Sequence, residues 1–151
     1  HMAQVSNYTT MYGKDDPDFA MTLLWWLTPF IDSQTEFSFW TLWGGNLLFA
    51  TDPRNMTAEK QSIILNKEAI AIHQLPDTPS GIRIRADNST GELWTRVISE
   101  SDVAVILFNP SDTANITASM QWSEIHTKTP SNIRDIWQHQ DITPSAAGFS
   151  R

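Results

Sequence analysis

The chain of 151 residues contains no cysteine, which excludes disulfides and thiolate zinc sites. Charge is scarce: 18% of residues are Asp, Glu, Lys or Arg, and acids outnumber bases 17 to 10. The formal charge of -7 opposes binding to nucleic acid or to acidic membranes. No basic patch interleaved with aromatics offsets it. Long apolar runs are missing too. The longest, Met21 to Ile31, carries Pro29 and falls far short of the about 20 residues a membrane-spanning helix needs. There is no G-x-S-x-G or other nucleophile motif, and His73, His126 and His139 lack zinc-site spacing. Neither a metal nor a cofactor is expected.

What is present supports a real core. Hydrophobic residues make up 40% of the chain, with seven Trp among them, and the low charge argues against disorder. The length fits one domain or two small ones. His1 and Met2 have the form of an expression-vector scar. N-x-[ST] sequons occur at Asn7, Asn55, Asn88 and Asn115. Each alone is a weak signal, and together they lean towards the secretory pathway.

The most informative segment is FSFWTLWGGNLLFATDPRNM, Phe37 to Met56. Phe37, Trp40 and Trp43 recur at helical spacing, and Gly44 and Gly45 break the pattern. Ser33 is read as the N-cap of this helix, with Glu36 completing a capping box, so a helix is expected from Gln34 to about Trp43. Asn46 to Ala50 reads as an apolar strand covered on both faces, as in a parallel sheet. Asp52, Pro53 and Arg54 end it, with Asp52 and Arg54 expected to pair as ions across that loop. Upstream, residues 3 to 20 read as loop, including Asp15, Asp16 and Asp18. Met21 to Phe30, which holds Trp25 and Trp26, reads as either an irregular, partly buried loop or a short helix. Downstream, Thr57 caps a helical pattern that crosses Asn66 and Lys67, read as two short helices or one with a break.

The texture changes at Pro76 to Gly81, a linker-like run. Beyond it, Ile82 to Arg85, Glu92 to Ile98, Asp102 to Phe108 and Ile116 to Trp122 read as strands. Arg134 to Gln138 reads as one more. Short strands separated by turn signals point to a small sandwich, with Trp94, Trp122 and Trp137 as core.

These segments, in this order, resemble glycoside hydrolase family 27, the α-galactosidases or melibiases and the α-N-acetylgalactosaminidases. The resemblance is carried by DDPDF (Asp15 to Phe19), by FSFWTLWGGNLLFATDPRNM, and by ILNKEAIAIHQ (Ile64 to Gln74). GELWTRVISESDVAVILFNPSD, SEIH and IRDIWQHQDI continue it downstream. The resemblance implies an α+β chain: the last strand and helices of a (β/α)8 barrel followed by an antiparallel β-sandwich, truncated at both ends. A complete barrel takes about 250 residues. The expected organisation is residues 1–14 as tag remnant and loop, 15–75 as the end of the barrel, and 76–151 as the sandwich domain.

The family are retaining glycosidases that use two aspartates about 5 to 5.5 Å apart. The resemblance places both upstream of this chain, so no catalytic residue is expected here. It implies substrate contacts at Asp18 and Phe19. Lys14 stands where the family has Trp, Asp15 where it has Asn, and Phe19 where Met or Leu is commoner. The expected function is therefore the C-terminal segment of an α-galactosidase-like hydrolase, with α-galactosides as substrates of the full-length protein and a secreted, lysosomal or vacuolar location. A noncatalytic carbohydrate- or protein-binding β domain is the alternative. A truncated barrel leaves an unpaired strand edge, so self-association or a missing barrel half is expected as partner.

Overall fold

The computed structural model describes residues 18–21 and 29–151. Asn7, Asp15, Asp16, residues 1–14 and most of the Met21–Phe30 stretch, with Trp25 and Trp26, lie outside the described residues. The chain divides into two compact units, His1–Gly81 with Arg96–Ala104, and Ile82–Thr95 with Val105–Arg151.

In the first unit, helix α1 (Phe30–Trp43) buries Ser33, Phe37, Trp40 and Thr41 along one face, and it packs against α2 (Ala58–Ile64) and α3 (Lys67–His73). The helix starts one turn earlier than the capping signal predicts. Pro29 occupies the cap position, and the Ser33 N–H donates to the Pro29 carbonyl at 3.0 Å. A proline at a helix entry sacrifices no hydrogen bond, because the first N–H groups have no partner inside the helix. Ser33 is consequently an interior, fully buried residue. Glu36 closes no capping box and instead accepts from the Met21 N–H at 2.9 Å.

Gly44 ends α1 in the left-handed conformation, φ 65°, and its N–H donates to Trp40 O. A left-handed residue closing a helix is the common use of glycine. The following run does not form the buried strand expected of it. Among the described residues its only sheet contact is a single parallel bridge, Ala20 to Phe49, and Leu48 is 55% and Phe49 37% exposed. Alternation-free apolar sequence signals burial only where both faces are covered. Here Phe49 finds cover on one ring face, stacked on Phe37 with centroids 6.4 Å apart.

The two short helices follow the sequence closely. Thr57 caps α2 by accepting from Lys60 N–H, and Asn66 caps α3 by accepting from Glu68 and Ala69 N–H. One side chain from far along the chain then ties the unit together. Arg96 is 1% exposed. Its guanidinium donates to Thr41 O (2.9 Å), Ile72 O (3.0 Å), Pro79 O (3.2 Å) and Thr78 Oγ1 (2.7 Å). Burial lowers its pKa, but a guanidinium stays charged throughout the accessible pH range. The carbonyls of the ends of α1 and α3 supply the negative ends of two helix dipoles.

In the second unit, β1 (Ile82–Arg85) pairs antiparallel with β2 (Glu92–Val97), and β3 (Val103–Phe108) completes a sheet of order β1-β2-β3. Its turn is held by Asp87, whose Oδ1 accepts from Ser89 N–H (2.7 Å), Ser89 Oγ (2.6 Å) and Thr90 N–H (2.8 Å). Two smaller ribbons follow, β4 (Ser119–Gln121) with β7 (Gly148–Ser150), and β5 (Ile133–Asp135) with β6 (Gln140–Ile142). Leu93, Met120 and Trp122 form the core, with Val105, Leu107, Ile125, Ile133 and Phe149 against it.

The strand expected over Arg134 to Gln138 is in fact one arm and the turn of the β5–β6 hairpin. Asp135 Oδ1 accepts from the N–H of Trp137 and Gln138, both at 2.9 Å, and His139 adopts φ 53°. A side chain that captures two successive backbone N–H groups bends the chain out of extension. Similarly, the strand read from Ile116 to Trp122 is confined to β4, because Trp122 opens a short 3-10 turn, Trp122–Ile125.

Candidate functional site

Asp18 and Phe19 lie immediately before the Ala20–Phe49 bridge. Ala20 is fully buried. Its N–H donates to Leu48 O at 2.7 Å, and the Ala50 N–H donates to Ala20 O at 3.3 Å. The chain is therefore clamped on one side of Asp18 by a pair of backbone hydrogen bonds. Asp18 itself has φ 77°, a conformation that disfavours L side chains and is held only where the surroundings impose it. Asp18 is an exposed residue and Phe19 is 46% exposed. Such a pair offers an acceptor for hydroxyl groups and an apolar face beside it. Asp15 and Asp16, its sequence neighbours, lie outside the described residues.

Asp52 and Arg54 form the ion pair expected of them, 2.7 Å apart. Asp52 also accepts from the Arg54 backbone N–H at 3.0 Å and caps the 3-10 turn Pro53–Asn55. The Arg54 side chain and backbone N–H hold the Asp52 carboxyl below the usual carboxylate range. Both oxygens accept from Arg54, so the pair shapes this loop. His73, which sequence reading set aside as a ligand, is buried at the end of α3 with Nε2 2.8 Å from Gly45 O. Among the described residues no group of three His, Asp or Glu is placed to hold a metal, and no helix is long and apolar enough to cross a membrane.

Of the sequons, Asn55, Asn88 and Asn115 are all exposed and lie outside the α-helices and strands. Trp94 and Trp122 are core residues as expected, Trp137 is only half-buried, and in α1 Trp40 is buried and Trp43 half-buried. Sequence reading passed over Arg85 and Glu124. They pair at 2.7 Å across 39 residues, and no local pattern links them.

Residues 88–150 match the alpha galactosidase C-terminal beta sandwich domain, which defines the class of the β-rich unit. The chain is 35% identical over 139 residues to Alpha-galactosidase 3 of Arabidopsis thaliana, a match spanning 90% of this chain and 32% of that protein. The crystal structure of alpha-galactosidase I from Mortierella vinacea superposes with a TM-score of 0.87 at 21% identity, covering 99% of this chain and 39% of that one. The alpha-galactosidase of Saccharomyces cerevisiae with raffinose does so with a TM-score of 0.76 at 18% identity, covering 89% and 33%. The chain is similar to the C-terminal portion of the α-galactosidases of glycoside hydrolase family 27. It spans about a third of the length of the relatives it matches.

Proposed function

We propose that this chain is the C-terminal part of a retaining hydrolase of terminal α-galactosides. In that reading the two reacting carboxylates lie in the portion of the relatives that this chain does not span. A glycosidic bond needs one carboxyl group on each side of it, and retention needs the nucleophile within about 5.5 Å of the acid/base. Of the acids near the resemblance motifs, Asp52 accepts from Arg54 and Asp18 stands on a loop beside Phe19, and this reading assigns neither to the reacting pair. Asp18 and Phe19 are read as sugar-contacting residues, the carboxylate accepting from ring hydroxyls and the phenyl group packing on a C–H face. The observation that carries the proposal is the match along 90% of the chain to a plant α-galactosidase.

The test is hydrolysis of a chromogenic α-galactoside. The 151-residue chain is expected to be inactive, and a longer chain that adds the missing barrel strands to be active. Asp18→Ala in that longer protein is expected to raise KM by about tenfold, one charge-assisted hydrogen bond of about 1.5 kcal/mol. Activity of the short chain alone would refute the placement of the catalytic pair.

The exposed sequons Asn55, Asn88 and Asn115 support a secreted, lysosomal or vacuolar location, reached through the secretory pathway in which glycans are transferred. A mass loss on enzymatic deglycosylation of the protein from its native source is the expected result.

A further inference from the structure

We propose that this chain carries an N-linked glycan at Asn115, in preference to Asn55 and Asn88. The transfer joins the Asn115 side-chain nitrogen to the anomeric carbon of a lipid pyrophosphate-linked oligosaccharide. A C–N bond forms, the bond from that carbon to the pyrophosphate oxygen breaks, one amide proton leaves, and the lipid pyrophosphate departs. The transferase reads an asparagine together with the hydroxyl two residues on, in chain that can lie extended in its groove. The triplets Asn55-Met56-Thr57, Asn88-Ser89-Thr90 and Asn115-Ile116-Thr117 all end in threonine, so the hydroxyl residue does not rank them. Local structure does.

The first two triplets are tied into turns. Asn55 ends the 3-10 turn Pro53–Asn55, its N–H donating to Asp52 O at 3.2 Å. Met56 O accepts from Gln61 Nε2 at 3.2 Å, and Thr57 Oγ1, the cap of α2, accepts from Lys60 N–H at 3.3 Å. Asn88, Ser89 and Thr90 form the turn that Asp87 closes by accepting from the last two N–H groups. Thr90 O accepts in addition from Ser119 N–H at 3.1 Å. To lie extended in an enzyme's groove, either segment must first give up these bonds.

Asn115 needs no such release. The preceding turn closes at Ala114, whose carbonyl accepts from Asn109 Nδ2 at 2.8 Å. Among the described residues nothing hydrogen-bonds Asn115, Ile116 or Thr117. From Asn115 to Gln121 more and less exposed residues alternate, the period of extended chain. Ile116 is turned towards Gly91, where an added Cβ would lie 3.6 Å from Ile116 Cδ1. Asn115 and Thr117 are both exposed and, two residues apart, share the outward side. Amide and hydroxyl thus stand together facing solvent. Timing favours the same site. Ala118, at the end of this segment, is held by Arg151, and at about 5–20 residues per second the chain between them takes seconds to emerge. Turns closed by near neighbours form within about microseconds.

The assignment rests on the chain's natural passage through the secretory pathway. The test supplies that passage by itself, so its result is separate from that of deglycosylating the native-source protein. The full 151-residue chain is expressed behind a secretion signal in a eukaryotic host, with Asn7→Gln throughout so that the three described sequons alone are read. Occupancy of each site is measured by mass spectrometry of peptides after enzymatic glycan release in heavy-oxygen water, on chain from cells and medium together. One glycan is expected, at Asn115. Thr117→Val keeps the asparagine and is expected to lose that glycan, whereas Asn55→Gln and Asn88→Gln leave it in place. Asp87→Ala removes the acceptor that closes the Asn88 turn and is expected to raise occupancy there severalfold. Equal occupancy of the three sites, an empty Asn115, or an Asn88 unchanged by Asp87→Ala would overturn the proposal.

Discussion

Arg96 fills the space that a side chain at Gly44 would need. A Cβ added to Gly44 would lie 2.6 Å from both terminal nitrogens of the guanidinium and 2.8 Å from its carbon. The left-handed turn that ends α1 and the buried cation that anchors it thus require each other. Gly44→Ala is expected to destabilise the chain by about 2–3 kcal/mol, the sum of left-handed strain and an overpacked contact. The denaturant midpoint of the first unit's unfolding, followed by tryptophan fluorescence, reads it directly.

Arg96→Met keeps the length of the side chain and removes its donors. Thr41 O, Ile72 O and Pro79 O then lose a charged partner in a buried place, at a cost of about 3 kcal/mol or more. Arg96→Lys is expected to recover little of it, because one ammonium cannot reproduce the planar fork that meets four acceptors. Chemical denaturation of the two variants side by side is the measurement, and a lysine variant as stable as the parent would contradict the role given to the fork.

Acid is expected to loosen the β1–β2 turn. Hydrogen bonds from Ser89 Oγ, then Thr90 N–H and Ser89 N–H, hold the Asp87 carboxyl far below its ordinary value of 3.8. A depressed folded-state pKa contributes stability above the unfolded value, and that contribution is lost as pH falls through about 4 and below. The apparent melting temperature should therefore fall between pH 6 and pH 3. Asp87→Asn cannot titrate and loses the charge-assisted part of these hydrogen bonds, so it should lower the melting temperature at neutral pH and flatten the fall towards acid.

We further propose that the chain self-associates through the exposed edge at Leu48 and Phe49, where Phe49 forms an isolated bridge and Leu48 lies beside it, both partly exposed. Light scattering should show a mass that rises with concentration, and Leu48→Lys should suppress the rise. A constant monomer mass at high concentration would rule out this edge as an interface.

How far the sequence revealed the fold depended on how local each determinant was. Thr57 and Asn66 cap their helices through side-chain oxygens that reach two or three residues ahead, and both were legible. The Asp52–Arg54 pair spans two residues and was legible too. Ser33 carried the same local signal as Thr57 and misled, because Pro29 four residues earlier let the helix start sooner. The run Arg134 to Gln138 has strand-like spacing, and only the capture of two N–H groups by Asp135 bends it into a turn. Arg96 and Arg85 left no trace in any window of sequence. Their acceptors come from segments 17 to 55 and 5 to 39 residues away. Alternation in β2 would have placed Arg96 as an ordinary solvated strand residue. At Asp18 and Phe19 only family resemblance picked out the residues, since nothing in a D-P-D-F string foretells a left-handed backbone.

The first unit is not a continuous stretch of chain: Arg96 to Ala104 belong to it, although residues 82 to 95 between do not. It cannot therefore be lifted out at a single junction. A protease that cuts between Gly81 and Arg96 severs the covalent tether of the buried guanidinium, and a chimera joined there inherits its keystone from the wrong parent. Recombination that exchanges the β-rich half between relatives must either carry a compatible arginine at this position or rebuild the ends of α1 and α3 around its absence.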